Sequence, residues 1–377
     1  MKLDCGHNRG PNKRIDAVDE IVPLTQSLIR FKTMHSRMDE IAACTAFIEN
    51  YLVRHAIEFV RSEHDGYPSI LVLPDNAQPV CKVLMMAHID VVDAPDALFE
   101  PVIRDNRLFG RGAVDDKYAV ALSLVLLKKQ VRRLRKLGKT QQDLGFGILI
   151  TSDEEIGGYH GVGKAVEKIH PEFCVALDGG TPEKIIVKEK GLLTVKLTTI
   201  GKAAHGSRPW LGDNAVDHLI ADYSALKTLF EPPGAGSWSK TMNLGIVNAG
   251  KSFNQVPDRA EAIFDIRYTE NENPDQLFDQ MQAMVDGELS VIRKEPMFLG
   301  GTSTYLEQLC ELAPDARIGF EHGASDARFF SEKGINGIIW GADGDNSAHA
   351  ADEHVNIDSI LKIYRVLTRF VEGLAPV

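Results

Sequence analysis

Five short stretches carry the side chains able to do chemistry. In "VLMMAHIDVV" an apolar run from Val83 to Ala87 ends in His88, and Asp90 follows after one residue. Strand side chains alternate with a period of two, so His88 and Asp90 share a face where the run stops. An imidazole beside a carboxylate at a strand end is either a metal ligand with its orienting partner or a satisfied surface pair. "GRGAVDDK" brings Asp115 and Asp116 to the start of a helix, behind two glycines that let the backbone turn tightly. "TSDEE" and "FCVALD" end apolar strands in Glu154, Glu155 and Asp178, and "NSAHAADE" supplies His349 from a turn-rich loop.

Gathered together, these carboxylates would repel one another and raise each other's pKa. Divalent cations resolve that conflict. Two such ions carry four positive charges; Asp115, Glu155, Asp178 and one bridging hydroxide carry four negative ones, with His88 and His349 neutral. Imidazole and carboxylate ligands suit zinc, at ~2.0–2.2 Å, while cobalt and manganese also accept N and O donors. One acid shared by both ions would hold them at the ~3.5–4 Å of two-metal hydrolytic sites. Asp90 would then accept the remaining N–H of His88 and fix its tautomer.

A sheet has to bring such distant residues together. Helical spacing runs through "AVDEIVPLTQSLIRF", "IAACTAFIENYLVRHA" and the apolar "YAVALSLVLLKKQVRRL". Between them "SILVLP", "KVLMMAH", "GFGILITSDEE" and "FCVALDGG" read as strands, and "GVGKAVEKIH" as a helix. Continuous apolar strands alternating with helices indicate an α/β layer around a largely parallel sheet, whose functional crevice lies at the strands' carboxyl ends. From about residue 190 the pattern becomes β-α-β-β-α-β, the ferredoxin-like order. The α/β pattern returns with "DARFFSEKG", "INGIIWGAD" and a last helix from Asp358 to about Leu374. The expected organisation is a catalytic domain over 1–188 and 301–377, interrupted by an α+β insert at 189–300.

Composition narrows the partners. With 377 residues, 44% hydrophobic and 25% charged, the chain is that of an ordinary globular protein of two domains. No run approaches the ~20 apolar residues of a membrane span, and the polar N-terminus has no signal-peptide core. The first dozen residues read as a loose tail. Five scattered cysteines without CxxC spacing suit a reducing, cytoplasmic setting. A net charge of −11 argues against nucleic acid. The one basic cluster, Lys128 to Lys139, ends a helix, where water and the helix dipole both favour cations. Serine or cysteine catalysis has no GxSxG elbow or activating motif behind it.

"AHIDVV", "GRGAVDDK", "TSDEEIGG" and "SAHAADE", in this order and spacing, resemble the dinuclear-zinc peptidase family of clan MH. That family includes aminoacylases, carboxypeptidase G, desuccinylases, acetylornithine deacetylases and carnosinase-like dipeptidases. The resemblance spans nearly the whole chain. It implies that His88 and Asp178 hold one ion, Glu155 and His349 the other, and that Asp115 bridges them. It makes Glu154 the general base, taking a proton from the metal-bridging water and passing it to the leaving amine. It also implies a non-proline cis peptide between Asp115 and Asp116. In the insert it implies that His205, in "GKAAHGSRPW", reaches a partner subunit's site in a homodimer and stabilises the tetrahedral oxyanion. Arg267 and Asn254 match positions that hold the substrate's carboxylate and polarised carbonyl, and Arg328 is a further candidate of that kind.

Two departures bear on the substrate. Desuccinylases have "RRG" before the first insert strand, where this chain has "EKG" with Glu189. Their "GGGTSDGRF" segment is here "EHGASDARF", with His322 replacing a glycine. Asp178 matches the aminopeptidase and dipeptidase branches, where deacylases usually have Glu. The expected substrate is therefore a small dipeptide or N-acyl amino acid. A desuccinylase or acetylornithine deacetylase is the alternative within the family, and a non-catalytic binding protein the alternative outside it.

Overall fold

The computed structural model describes residues 17–232, 234 and 236–376. The expected N-terminal tail and Cys5 lie outside them. By its internal contacts the chain divides into two compact units. Of the described residues, the first holds 17–183, together with Glu307–Ala316 and 340–376. The second holds Lys184–Leu306 and Arg317–Ile339.

The first unit is α/β. Val80–His88 runs parallel to Phe146–Thr151 on one side and to His170–Ala176 on the other. Tyr67–Val72 adds antiparallel beyond Phe146–Thr151, and Val60–His64 closes the edge as a hairpin. The central strands are buried on both faces, so their near-continuous apolar sequence follows from position. The helix Lys117–Lys136 packs against Val18–Ile29 and Ile357–Gly373. Its residues from Lys117 to Leu127 are all buried, which is why that stretch is apolar around the whole circumference. Ile357–Gly373 instead buries a single stripe, Ile360, Ile363, Tyr364, Leu367 and Phe370.

Two local features differ from expectation. "GVGKAVEKIH" forms only one helical turn, Val162–Ala165, and His170 already opens the next strand. Unexpected from sequence, Val102–Arg104 and Arg107–Phe109 form a hairpin whose turn residues Asp105 and Asn106 sit at φ 49° and 60°. Asp and Asn tolerate that left-handed pair, and such turns match the twist of the flanking strands. His354–Asn356 joins as a third strand and so brings Glu353 against Gly110.

The second unit carries a four-stranded antiparallel sheet ordered Thr241–Ala249, Arg259–Tyr268, Gly191–Ile200, Glu288–Glu295. With helices Ala215–Lys227 and Pro274–Gln282 this is the ferredoxin-like arrangement. Leu193, Val195, Leu197, Leu219, Phe264, Ile266 and Met281 form its core. Beyond the expected 189–300, this unit takes in Lys184–Glu189 and Arg317–Ile339. The reason is backbone pairing: Lys184–Glu189 is parallel to Arg317–Glu321 and bridges antiparallel to Ile339. Among the described residues no helix is long and apolar enough to cross a membrane.

Candidate metal centre

Register explains the convergence. His88 pairs with Thr151, and Met86 with Ala176, so three neighbouring parallel strands end level with one another. His88 closes the middle strand, Glu154 and Glu155 follow Thr151 in a short turn, and Asp178 follows Ala176 by two residues. Asp115 arrives from the loop before helix Lys117–Lys136, and the peptide joining it to Asp116 is cis. His349 enters from a turn after Trp340, at φ 64°.

These five residues form two triads that share a member. His88, Asp115 and Asp178 offer one set of ligand atoms; Asp115, Glu155 and His349 offer the other, each set within 4.8 Å. His88 Nε2 lies 3.0 Å from Asp115 Oδ1 and 3.7 Å from Asp178 Oδ2. His349 Nε2 lies 3.0 Å from Asp115 Oδ2 and 3.2 Å from Glu155 Oε1. The two oxygens of Asp115 thus face different triads. Ligand atoms on a tetrahedron of ~2.0–2.2 Å bonds stand about 3.3–3.6 Å apart, in the middle of this range. His88 Nε2 is buried and lacks hydrogen-bond alignment with any neighbour. Proximity without alignment is what lone pairs aimed at a common point produce, and the residues fit a pair of divalent cations.

Electrostatics points the same way. Burial alone would lower the His88 imidazole, but the carboxylates of Asp115, Asp178 and Asp90 outweigh it and raise it well above its ordinary range. Asp115, with Glu155 after it, pushes His349 up to about 10. Burial pushes the Asp178 and Glu155 carboxyls up, and Asp115 adds to both shifts. Burial also opposes charge on Asp115, yet His349 and His88 hold it well below the usual carboxylate range. Left to protons, the cluster keeps its imidazoles charged; cations would take the place of those protons.

Around the triads stands a layer of supporting groups. Asp90 is fully buried; its Oδ1 lies 3.3 Å from His88 Nδ1, and its Oδ2 accepts the Glu155 N–H at 2.9 Å. His88 Nδ1 is also 3.1 Å from the Asp90 carbonyl oxygen. Sequence reasoning missed His35, whose Nε2 lies 3.1 Å from the same Oδ2. It missed Asp153 as well, whose carboxylate accepts the N–H groups of His160 and Gly161 at 2.7 and 3.1 Å and so shapes the turn bearing Glu154 and Glu155. A buried ion pair, Arg111 with Glu353, braces the remaining loops. Arg111 Nη2 donates to the His349 carbonyl at 3.1 Å, while Glu353 Oε1 accepts from the N–H groups of Val114 and Asp115 at 3.3 and 3.4 Å. Both residues lie inside the motifs "GRGAVDDK" and "SAHAADE", which is the signal that could have found them.

The other expected site residues belong to the second unit. His205 and Asn254 come together on adjoining loops: Gly206 N–H donates to the Asn254 carbonyl at 2.7 Å, and His205 bridges Gln255. His205 is exposed, and its Nδ1 lies 2.8 Å from Ser207 Oγ and 3.2 Å from Ser207 N. Arg267 makes a two-point pair with Asp265, at 2.8 and 3.1 Å on the same strand. Arg328 does not stand open to an anion. It is buried, with Nε 3.2 Å from Glu295 and Nη1 donating to the Ser325 carbonyl at 2.7 Å, so its charge is already spoken for within the unit.

Known proteins are similar in sequence and fold. The chain matches Peptidase family M20/M25/M40 over residues 84–373. It is 27% identical to a succinyl-diaminopimelate desuccinylase of Wolbachia pipientis subsp. Culex pipiens (strain wPip), over 93% of this chain and 92% of that protein. Its fold is similar to an M20 family metallo-carboxypeptidase from Sulfolobus solfataricus, with a TM-score of 0.75 at 19% identity, covering 95% and 99% of the two chains. It is also similar to a tripeptidase from Staphylococcus aureus subsp. aureus mu50, with a TM-score of 0.75 at 18% identity, covering 95% and 98%.

Proposed function

This chain belongs to peptidase family M20/M25/M40, metallohydrolases acting on amide bonds, and we propose that its substrate is a small dipeptide or N-acyl amino acid. The observation that carries the reading is the split allegiance of Asp115, one oxygen toward His88 and the other toward His349. His88 and Asp178 would hold one divalent cation, Glu155 and His349 the second, and Asp115 both; zinc suits these donors. Bound there, the cations supply Lewis acidity and lower the pKa of a water to about 7. Glu154, one residue before a ligand, takes the proton of the attacking water on its carboxylate and delivers it to the leaving amine nitrogen. Asp90 keeps His88 oriented throughout.

From the family resemblance the reading takes His205 as the oxyanion donor in a homodimer, with Nδ1 engaged by Ser207 and Nε2 the nitrogen left for the substrate. The exposed Trp210, Leu211 and Phe253 on neighbouring loops support burial by a second copy. Arg267 and Asn254 would hold the substrate's carboxylate and carbonyl. The four described cysteines are free thiols, which fits a cytoplasmic setting.

Glu189 supports a substrate without a second carboxylate. It is buried, and its Oε2 accepts from both Ser325 N–H and Oγ–H, at 2.7 and 2.8 Å. A negative group therefore stands where desuccinylases carry an arginine. The 27% identity to a desuccinylase over most of both chains favours the second reading, cleavage of a succinylated amine. Metal-loaded protein assayed against dipeptides, N-acetyl amino acids and N-succinyl-diaminopimelate separates the two. Faster turnover of a dipeptide or N-acetyl amino acid is expected. A higher kcat/KM for the succinylated compound would replace this reading with the second, and hydrolysis of none would remove both.

A further inference from the structure

We infer that His35 is a positioning residue that acts through Asp90 on both cation triads at once; this rests on the metallohydrolase reading above. Its segment is fixed to the end of the central strand. Thr33 Oγ1 donates to the Ile89 carbonyl at 2.5 Å, and Val91 N–H donates to the Thr33 carbonyl at 3.1 Å. That clamp carries His35 over the buried Asp90, where Nε2 meets Oδ2 at 3.1 Å. The ring's other nitrogen, Nδ1, is buried and makes no hydrogen bond. An imidazole kept in a semi-buried place with one nitrogen idle is there for its other contact, since an apolar ring would fill the space without that penalty. Tyr67 packs against the His35 ring at 5.7 Å and stacks on His160 at 5.2 Å, completing a wall that ends at the Asp153 turn.

Asp90 is the junction of the two triads. One oxygen faces His88, a ligand of the first; the other accepts the backbone N–H of Glu155, a ligand of the second. A carboxylate with donors on one oxygen only from a backbone N–H can rotate about its Cβ–Cγ bond. The His35 donor adds a second point on Oδ2 and closes that rotation. Losing it loosens His88 and Glu155 together, so a defect in His35 is distinguishable from loss of a ligand that serves one triad alone, which weakens one ion first.

The test is chelator competition for zinc on the purified full chain, with parent, His35→Ala and His35→Gln. The parent is expected to hold two equivalents. His35→Ala should weaken both by roughly 10- to 100-fold, the usual penalty for removing a ligand's supporting partner. His35→Gln, which can place an amide N–H near the Nε2 position, should restore most of the affinity. Urea unfolding of the metal-free proteins accompanies each measurement; if His35→Ala unfolds early, the Gln variant alone decides. Unchanged affinities in His35→Ala, weakening of a single equivalent, or a well-folded Gln variant that restores nothing would overturn the proposal. A parent that binds no divalent cation would instead overturn the metallohydrolase reading.

Discussion

Glu295 and Arg328 in the second unit, and His88 with Asp90 and its neighbours in the first, are both buried clusters of charged residue types. In the second unit the buried arginine meets acids and the buried acids meet donors. Arg328 meets Glu295 at 3.2 Å, Arg293 meets the other Glu295 oxygen at 2.5 Å, and Glu189 is satisfied by Ser325. In the first unit three carboxylates of the triads face two imidazoles, with ligand atoms close but not aligned for hydrogen bonds at His88. Burying like charges without compensation is prohibitive, so the first cluster calls for ions that the second does not. What separates scaffold from site is therefore whether the protein supplies its own counter-charges.

The contrast is broken most severely by changing a group that belongs to the chemistry but holds no ion. Glu154→Gln should reduce kcat by about 100- to 10,000-fold, the span expected for a positioned general base. Bound metal per chain and the urea midpoint should stay at parent values. Retained turnover in that variant would move the proton-transfer role elsewhere.

The reverse signature is expected in the second unit. Glu295→Ala takes the nearer carboxylate from the buried Arg328 guanidinium and leaves it Asp326 at 3.4 Å, and removal of one partner of such a pair costs up to about 3–5 kcal/mol. The Glu295→Leu/Arg328→Met double variant no longer buries an unpaired guanidinium and should recover part of that loss in urea unfolding, although it leaves Asp326 without Arg328 and Arg293 without Glu295. Metal content of the folded protein should not move in either. An unaltered midpoint in Glu295→Ala would mean that the pair is open to water and that the division between the clusters is less sharp.

How far the sequence anticipates this arrangement follows from range. His88, Glu155 and Asp178 are legible because each ends an apolar run, and strand ends in a parallel sheet converge whatever the loops do. Asp115 and His349 sit in loops, yet Gly-rich and acidic patterning marks them. The ferredoxin-like unit is legible because Arg259–Tyr268 alternates buried with partly exposed positions residue by residue. His35 is not legible: a loop histidine has no periodicity, and its partner Asp90 is 55 residues away. Arg111 and Glu353 lie inside legible motifs, but their pairing is not legible, since it depends on the strand pairing that sets His354–Asn356 beside Arg107–Phe109. Arg328 misleads in the opposite sense. The family resemblance offers Arg328 as a further anion holder, and only packing reveals Glu295 beside it.

Arg267 tests the border between the two kinds of cluster, since it is paired with Asp265 but only half-buried. If it turns from that partner to hold a substrate carboxylate, Arg267→Lys loses the two-point geometry that a guanidinium offers. The expected loss of about 1.5–3 kcal/mol corresponds to a KM roughly 10- to 100-fold higher, with kcat little changed. An amidated substrate lacking the carboxylate should show no such difference. Equal KM values for parent and variant with the free acid would return Arg267 to the scaffold.

The gentlest probe is pH. In the metal-free site His349 keeps its proton up to about 10, because Asp115 and Glu155 stabilise the imidazolium. Its folded pKa is raised, so that contribution to metal-free stability is fully present below the unfolded value of about 6.5 and fades as pH rises toward 10. A cation bound to Nε2 must displace this proton at neutral pH. Affinity should therefore rise with pH between about 6 and 8, by up to roughly tenfold per unit for each proton released. Calorimetry in two buffers of different ionisation enthalpy counts those protons directly. The cluster of the second unit, neutralised by its own arginines, has no corresponding exchange to make. Binding without proton release would show that the imidazoles are already neutral and that the carboxylates alone draw the ions in.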